Sequence, residues 1–314
     1  SKFLLDDNKG SIDDYTKAIE LDPNVAEYYY TRSFSKYLLD DNKGAIEDST
    51  KAIELDPDVA IYYNNRGDSK FLLDDNKGSI DDYTKAIELD PNVAKYYYNR
   101  GLSKSQLEDD LGAIADFTSA IELNTNYDAA YYSRGKSKSY LKDYEGAIAD
   151  FSKSIQLDPN YADTYNLRGL SKKNSGDFKG AIVDFSKAIE LNPDEYNTAY
   201  YYNNLGVSKD SLNDNFGAIL NYSKAINIYS DAEFIKNRLL SMRSSSDEYK
   251  LFMHAVIDSF SREIREQCEN NNETLLDDQE NINNDGEVKA EDISDVPFVE
   301  IQDVPRFMEC YLEK

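Results

Sequence analysis

The sequence predicts an all-α solenoid of stacked helical hairpins, and two observations carry that prediction. The passage SKFLLDDNKGSIDDYTKAIELDPNVA stands at residues 1–26 and again, unchanged, at 69–94, and steps of 34 residues find related copies between and beyond them. Each copy is also punctuated in the same two places, at its end and at its midpoint, as a pair of helices requires.

Six units follow from the period: 26–59, 60–93, 94–127, 128–161, 162–195 and, after a three-residue insertion at Tyr196–Thr198, 199–232. Residues 1–25 form a partial unit ahead of them. Asp56-Pro57, Asp90-Pro91, Asp158-Pro159 and Asn192-Pro193 close units, because the residue before Pro avoids helical angles and Pro breaks an i to i−4 bond. Midway through each unit an Asp recurs (Asp41, Asp75, Asp109, Asp143, Asp177, Asp214), placed to cap the free N–H groups of the second helix.

Small residues mark close helix approach: Gly67, Gly101, Gly135, Gly169 and Gly206 in the first helix, and Ala45, Ala113, Ala147, Ala181 and Ala218 in the second. Four residues after that Ala position stands a large ring (Tyr83, Phe117, Phe151, Phe185, Tyr222), and three further on a small residue returns. Spacings of three and four put these on one helical face.

This order of Gly, Ala, aromatic, Ala and Pro at a period of 34 resembles the tetratricopeptide repeat family over residues 1 to 232. Two departures stand out. Tyr29, Tyr63, Tyr97, Tyr131, Tyr165 and Tyr202 occupy the family's Trp or large-aromatic position, and Lys replaces a Tyr expected later in the first helix. The resemblance implies a right-handed superhelix with a concave face lined by the first helix of each repeat, where extended peptides or partner helices bind.

Arg and Lys recur four residues apart in five first helices: Arg32/Lys36, Arg66/Lys70, Arg100/Lys104, Arg134/Lys138 and Arg168/Lys172. Like charges at that spacing repel, so a carboxylate is expected opposite. Asp48, Asp82, Asp116, Asp150 and Asp184 are the candidates, since the sixth repeat loses both partners together, as Leu205 and Asn221.

Beyond Ala232 the pattern degrades. Residues 233–267 read as capping helices, with Ser245 and Glu248 at capping-box spacing and an apolar stripe of Phe252, Val256, Phe260 and Ile264. From Cys268 the chain holds fourteen Asp and Glu against three Lys and Arg, the composition of a disordered acidic tail. Its last stretch, with Phe298, Ile301, Phe307 and Tyr311, reads either as a linear motif or as a segment that folds back on the array.

A formal net charge of −25 with no cluster of Lys and Arg speaks against nucleic acid, and no apolar run is long enough to span a bilayer. Both cysteines, Cys268 and Cys310, lie in the tail, so disulfides do not build the fold. The chain starts without Met and inside a repeat, so it reads as a piece of a longer protein. One His, His254, and no phosphate loop leave no metal site, no cofactor and no catalytic constellation.

Recognition remains. The family's clamp for a peptide carboxylate needs a Lys four residues before an Asn, and the matching pairs are Tyr30/Phe34, Asn64/Asp68, Tyr98/Leu102, Tyr132/Lys136, Asn166/Leu170 and Asn203/Val207. That clamp is absent. The family's ladder of asparagine amides along a peptide backbone fits better, with Asn65, Asn99 and Asn204 in place and Thr31, Ser133 and Leu167 breaking it. Neighbouring inward positions are aromatic or apolar early (Tyr30, Phe34, Tyr37, Leu38, Phe71, Leu72) and polar later. The expected function is a non-enzymatic scaffold that holds a protein or peptide segment on Asn65, Asn99, Asn204, Tyr30, Asn64, Tyr98, Tyr37 and Phe71. The rival is a structural or self-associating repeat protein, in which the repeats stack between chains or the acidic tail occupies its own groove.

Overall fold

The computed structural model describes residues 2–192 and 197–228. The capping helices and tail expected after residue 232 lie outside the described residues. Thirteen helices and no strand are found among them. They fall into two compact units, one ending at Ser171 and the other starting at Lys172.

The first unit is a run of hairpins. After α1 (Lys2–Leu21), the pairs are α2 and α3 (Ala26–Leu38, Asn42–Leu55), α4 and α5 (Ala60–Leu72, Asn76–Leu89), α6 and α7 (Ala94–Gln106, Asp110–Leu123) and α8 and α9 (Asp128–Tyr140, Tyr144–Leu157), followed by α10 (Ala162–Asn174). α2, α4, α6 and α8 each pack on the second helix of their own hairpin and on the helix that precedes them, and they also touch one another in sequence. First helices therefore stand side by side in one row. In the second unit, α11 (Phe178–Leu191) packs on α12 (Thr198–Asp210), which pairs with α13 (Asn215–Ile228).

The expected caps are present. Asp41, Asp75, Asp109, Asp143, Asp177 and Asp214 each accept from the backbone N–H three residues on, at 2.9–3.0 Å. The preceding residue closes the hairpin in the left-handed region: Asp40, Asp74, Glu108, Lys142 and Asn213 have φ of 60–63°, and Gly176 takes φ 92°. At the repeat ends, Asp56, Asp90 and Asp158 are extended before Pro, as expected. Asn124 adopts the same conformation without a Pro after it. Its Oδ1 accepts from the Asn126 N–H at 3.1 Å, a turn that Asp90 and Asp158 also make.

The Gly and ring columns meet inside each hairpin. Phe117 is fully buried, and a Cβ on Gly101 would lie 2.7 Å from its ring, so only glycine lets α6 and α7 approach this closely. The first repeat solves the same problem differently: Ser33 and Ser49 replace glycine and ring, and their buried hydroxyls lie 2.6 Å apart.

One sequence takes two forms. Residues 69–94 make the end of α4, a turn and α5, whereas the identical residues 1–26 run as a single helix from Lys2 to Leu21. In the second copy α5 packs on α4 as well as on the following helix α6, whereas α1 is found packed on the following helix α2. The partial unit is thus one long helix rather than a turn and a second helix.

The Arg–Asp contact is found in the four repeats of the first unit. Nε and Nη2 of Arg32, Arg66, Arg100 and Arg134 donate to both oxygens of Asp48, Asp82, Asp116 and Asp150 at 2.6–3.0 Å. The departing lysines, Lys36, Lys70, Lys104 and Lys138, reach Oδ2 of the same carboxylates at 2.8 Å. Nη1 turns the other way and donates to Thr16, Thr50, Thr84 or Thr118 of the preceding repeat at 3.0–3.2 Å. Each guanidinium also lies over Tyr29, Tyr63, Tyr97 or Tyr131, 5.6–5.8 Å from the ring centre. In the second unit, Lys172 pairs with the buried Asp184 at 2.8 Å. Leu205 and Asn221 are buried together where the sixth repeat drops the pair.

Asp116 is 3% exposed, and removing it leaves the mostly buried Arg100 and Lys104, 17% and 21% exposed, without their shared counter-charge. Asp116→Ala is expected to cost about 3 kcal/mol in denaturant unfolding. In the cycle of Arg100→Leu with Asp116→Asn, which imports the sixth repeat's residues, the double variant is expected to lose less than the two single losses added. Strict additivity would show that the groups do not interact.

Candidate functional site

The row of first helices carries most of the residues expected to bind. Tyr30 on α2 is half-buried, with its ring 5.2 Å from Tyr62. Tyr37 stacks with Phe34 at 6.4 Å, and Phe34 is 43% exposed. Phe71 on α4 is half-buried beside the exposed Leu72. On α6, the Tyr98 ring lies 4.9 Å from Tyr127 and 5.8 Å from Phe117. Asn204 sits half-buried on α12, in the second unit.

The asparagines behave unequally. Asn64 is fully buried; its Nδ2 donates to Asp68 at 3.1 Å, and its Oδ1 accepts from Asn99 Nδ2 at 3.2 Å. The same Asn99 nitrogen donates to Asp68 Oδ1 at 2.8 Å. Asn65 is 4% exposed, and its Nδ2 has no partner among the described residues.

Asp68 is the hub of this cluster. Besides the two amides it accepts from the Tyr83 hydroxyl at 2.8 Å and meets Lys95 Nζ at 3.3 Å. Three helices therefore converge on one carboxylate: α4 supplies Asn64 and Asp68, α5 supplies Tyr83, and α6 supplies Lys95 and Asn99. Sequence reasoning treated position 68 only as a failed clamp. The available signal was an acid in a column otherwise holding Phe34, Leu102, Leu170 and Val207, with Lys136 the other charge.

Burial pushes the Asp68 carboxyl pKa up, and Lys95 and the donors from Tyr83 and Asn64 counter that only partly. Tyr83 is pushed far up as well, by burial first and then by the Asp68 charge. Burial likewise raises Tyr37, Tyr96 and Tyr127, with the Asp68 charge contributing in each case. The hub thus projects a negative potential into a ring of tyrosines. No group of three or more side chains suited to a metal ion occurs among the described residues, and no helix there is long and apolar enough to cross a membrane.

Tetratricopeptide repeat models match residues 26–59, 94–127, 129–161 and 162–195, and a TPR repeat model matches 67–108, together more than half of the chain. The chain belongs to the tetratricopeptide repeat family. Solved TPR structures share its fold. MamA is 26% identical, with a TM-score of 0.51 over 54% of this chain and 92% of its own. YrrB, described as a TPR protein with an unusual peptide-binding site, is 24% identical, with a TM-score of 0.53 over 59% of this chain and 96% of its own. The C-terminal part of a TPR repeat-containing protein from Cytophaga hutchinsonii is 18% identical, with a TM-score of 0.63 over 75% of this chain and 96% of its own. No curated protein sequence matches the chain.

The raised pKa of Asp68 sets a direction for its pH dependence. A carboxyl that holds its proton more tightly folded than unfolded lends stability that is present below about pH 4 and lost as pH rises through the folded value. Relative to Asp68→Asn, the chain is expected to lose stability between about pH 4 and pH 7 in denaturant unfolding. A difference that stays constant, or moves the other way, would show that the carboxyl is not destabilised by burial.

Proposed function

We propose that this TPR protein is a non-enzymatic scaffold that holds an extended segment of a partner protein along its row of first helices. The observation that carries the reading is the composition of that row. Tyr30, Phe34, Tyr37, Phe71 and Tyr98 are half-buried or exposed there, large rings that give contact area with little loss of rotamer freedom. The second helices carry solvent-exposed ion pairs, Lys51 with Glu54, Lys85 with Glu88 and Lys187 with Glu190, and isolated exposed aliphatics, Leu111 and Val183.

Asn65 and Asn99 stand at the ladder positions for the backbone of the bound segment, Asn65 with a buried Nδ2 that has no partner among the described residues and Asn99 with an Nδ2 that donates to Asn64 and Asp68. Asn64 acts behind them, holding Asn99 through its Oδ1. Asn204 occupies the same repeat position within the second unit. The family resemblance supports protein recognition as the general role, and fold alone names no partner.

A photo-crosslinking residue at Phe34 or Phe71, in the full chain incubated with native lysate, is expected to trap the partner. The same residue at Lys51 or Lys85, on second helices, is expected to trap little. Trapping from the second-helix positions alone would move binding off the first-helix row.

A further inference from the structure

We infer that Asp68 selects a positively charged residue, Lys or Arg, in the bound segment, with Lys95 as the built-in competitor for that place. The inference rests on the reading of the first-helix row as the binding surface.

Two kinds of buried carboxylate occur along these helices. Asp48, Asp82, Asp116 and Asp150 each hold a bidentate Arg and a Lys at 2.6–3.0 Å, in the same register in these four repeats. Asp68 occurs once. Its side chain is 11% exposed, and it is met by neutral donors and by a single ammonium, that of Lys95, at 3.3 Å from a side chain 57% exposed. Neutral donors orient a carboxylate without cancelling its charge, so the site retains a demand for a cation that a mobile lysine meets only loosely.

The departure from the repeat is concerted. Position 95 corresponds to Glu27, Ile61, Ala129 and Asp163 in other repeats, and in the ring column Tyr83 and Tyr222 carry a hydroxyl that Phe117, Phe151 and Phe185 lack. A purely apolar filling was available at position 68, since Leu102 and Leu170 show it. Tyr37, Tyr96 and Tyr127 lie within reach of the Asp68 charge, and the exposed Phe34, Leu38 and Leu72 offer apolar contact to the flanking residues of the same segment. Charge complementarity thus specifies a cation set among apolar neighbours. An incoming Lys or Arg displaces the Lys95 ammonium into water, which costs little for a side chain already more than half exposed.

A random peptide library displayed on phage, selected on the full chain and on Asp68→Leu, tests this. The chain is expected to enrich Lys or Arg at one fixed position about tenfold over Gln, a preference of about 1.4 kcal/mol. Asp68→Leu is expected to keep the apolar part of the consensus and lose the cation. Lys95→Ala is expected to bind the selected peptides more tightly. Leu is native at two equivalent positions, and an unchanged unfolding midpoint would show that the variant folds. A consensus without a fixed cation, or a cation preference that survives Asp68→Leu, would overturn the inference and leave the groove reading intact. Selected peptides whose binding ignores both Phe34→Ala and Tyr98→Ala would overturn the groove reading and the inference with it.

Discussion

The first unit depends on a guanidinium shared between three helices. Each Arg forks onto the Asp of its own hairpin and reaches a Thr in the hairpin before it, while its face covers a Tyr of its own helix. A single hairpin cannot bury its apolar face, so a repeat protein stands or falls by contacts between neighbours. A planar group with five donors in fixed directions suits such a junction, and the smaller ammonium beside it completes the pairing with the same Asp. Burying these charges is costly in itself, and only the full set of partners makes the arrangement stable.

With that frame in place, the remaining columns of the first helices are released for variation. The glycine, ring and Arg–Asp columns scarcely change, because a Cβ at Gly101 would strike Phe117 and an unpaired Asp116 would sit in the interior. Positions 30, 34 and 37 and their equivalents change from repeat to repeat: Tyr30, Asn64 and Tyr98 occupy one column, and Phe34, Asp68 and Leu102 another. The proposed recognition uses the columns that stability leaves open, and the polar cluster around Asp68 is the sharpest departure among them.

Much of this was legible in the sequence. The period, the prolines and the capping aspartates located both helices of every described repeat, because local rules and the repeat agree at those positions. The Arg–Asp contact was legible because the sixth repeat drops both members at once. An equivalent signal at Ser33 and Ser49 passed unread, as did the Thr partner of each Arg, which lies in the preceding repeat. The Asp68 cluster was hidden for a different reason: its members come from three helices and occur together once, so no recurrence marks them. Asn64 and Asn99 were legible as candidate ligand contacts, while their bonds to this hub were not. Residues 1–26 and 69–94 set the limit, since identical sequences adopt different helices and only tertiary packing distinguishes them.

Native-state hydrogen exchange on Arg100→Leu tests the central claim most directly. If the guanidinium couples neighbouring repeats, amide protection falls on α6 and α7 and also on α5, whose Thr84 loses its donor, while α2 and α9 keep theirs. Loss confined to α6 and α7 would show that the Arg stabilises only its own hairpin and that the repeats are held together by apolar packing alone.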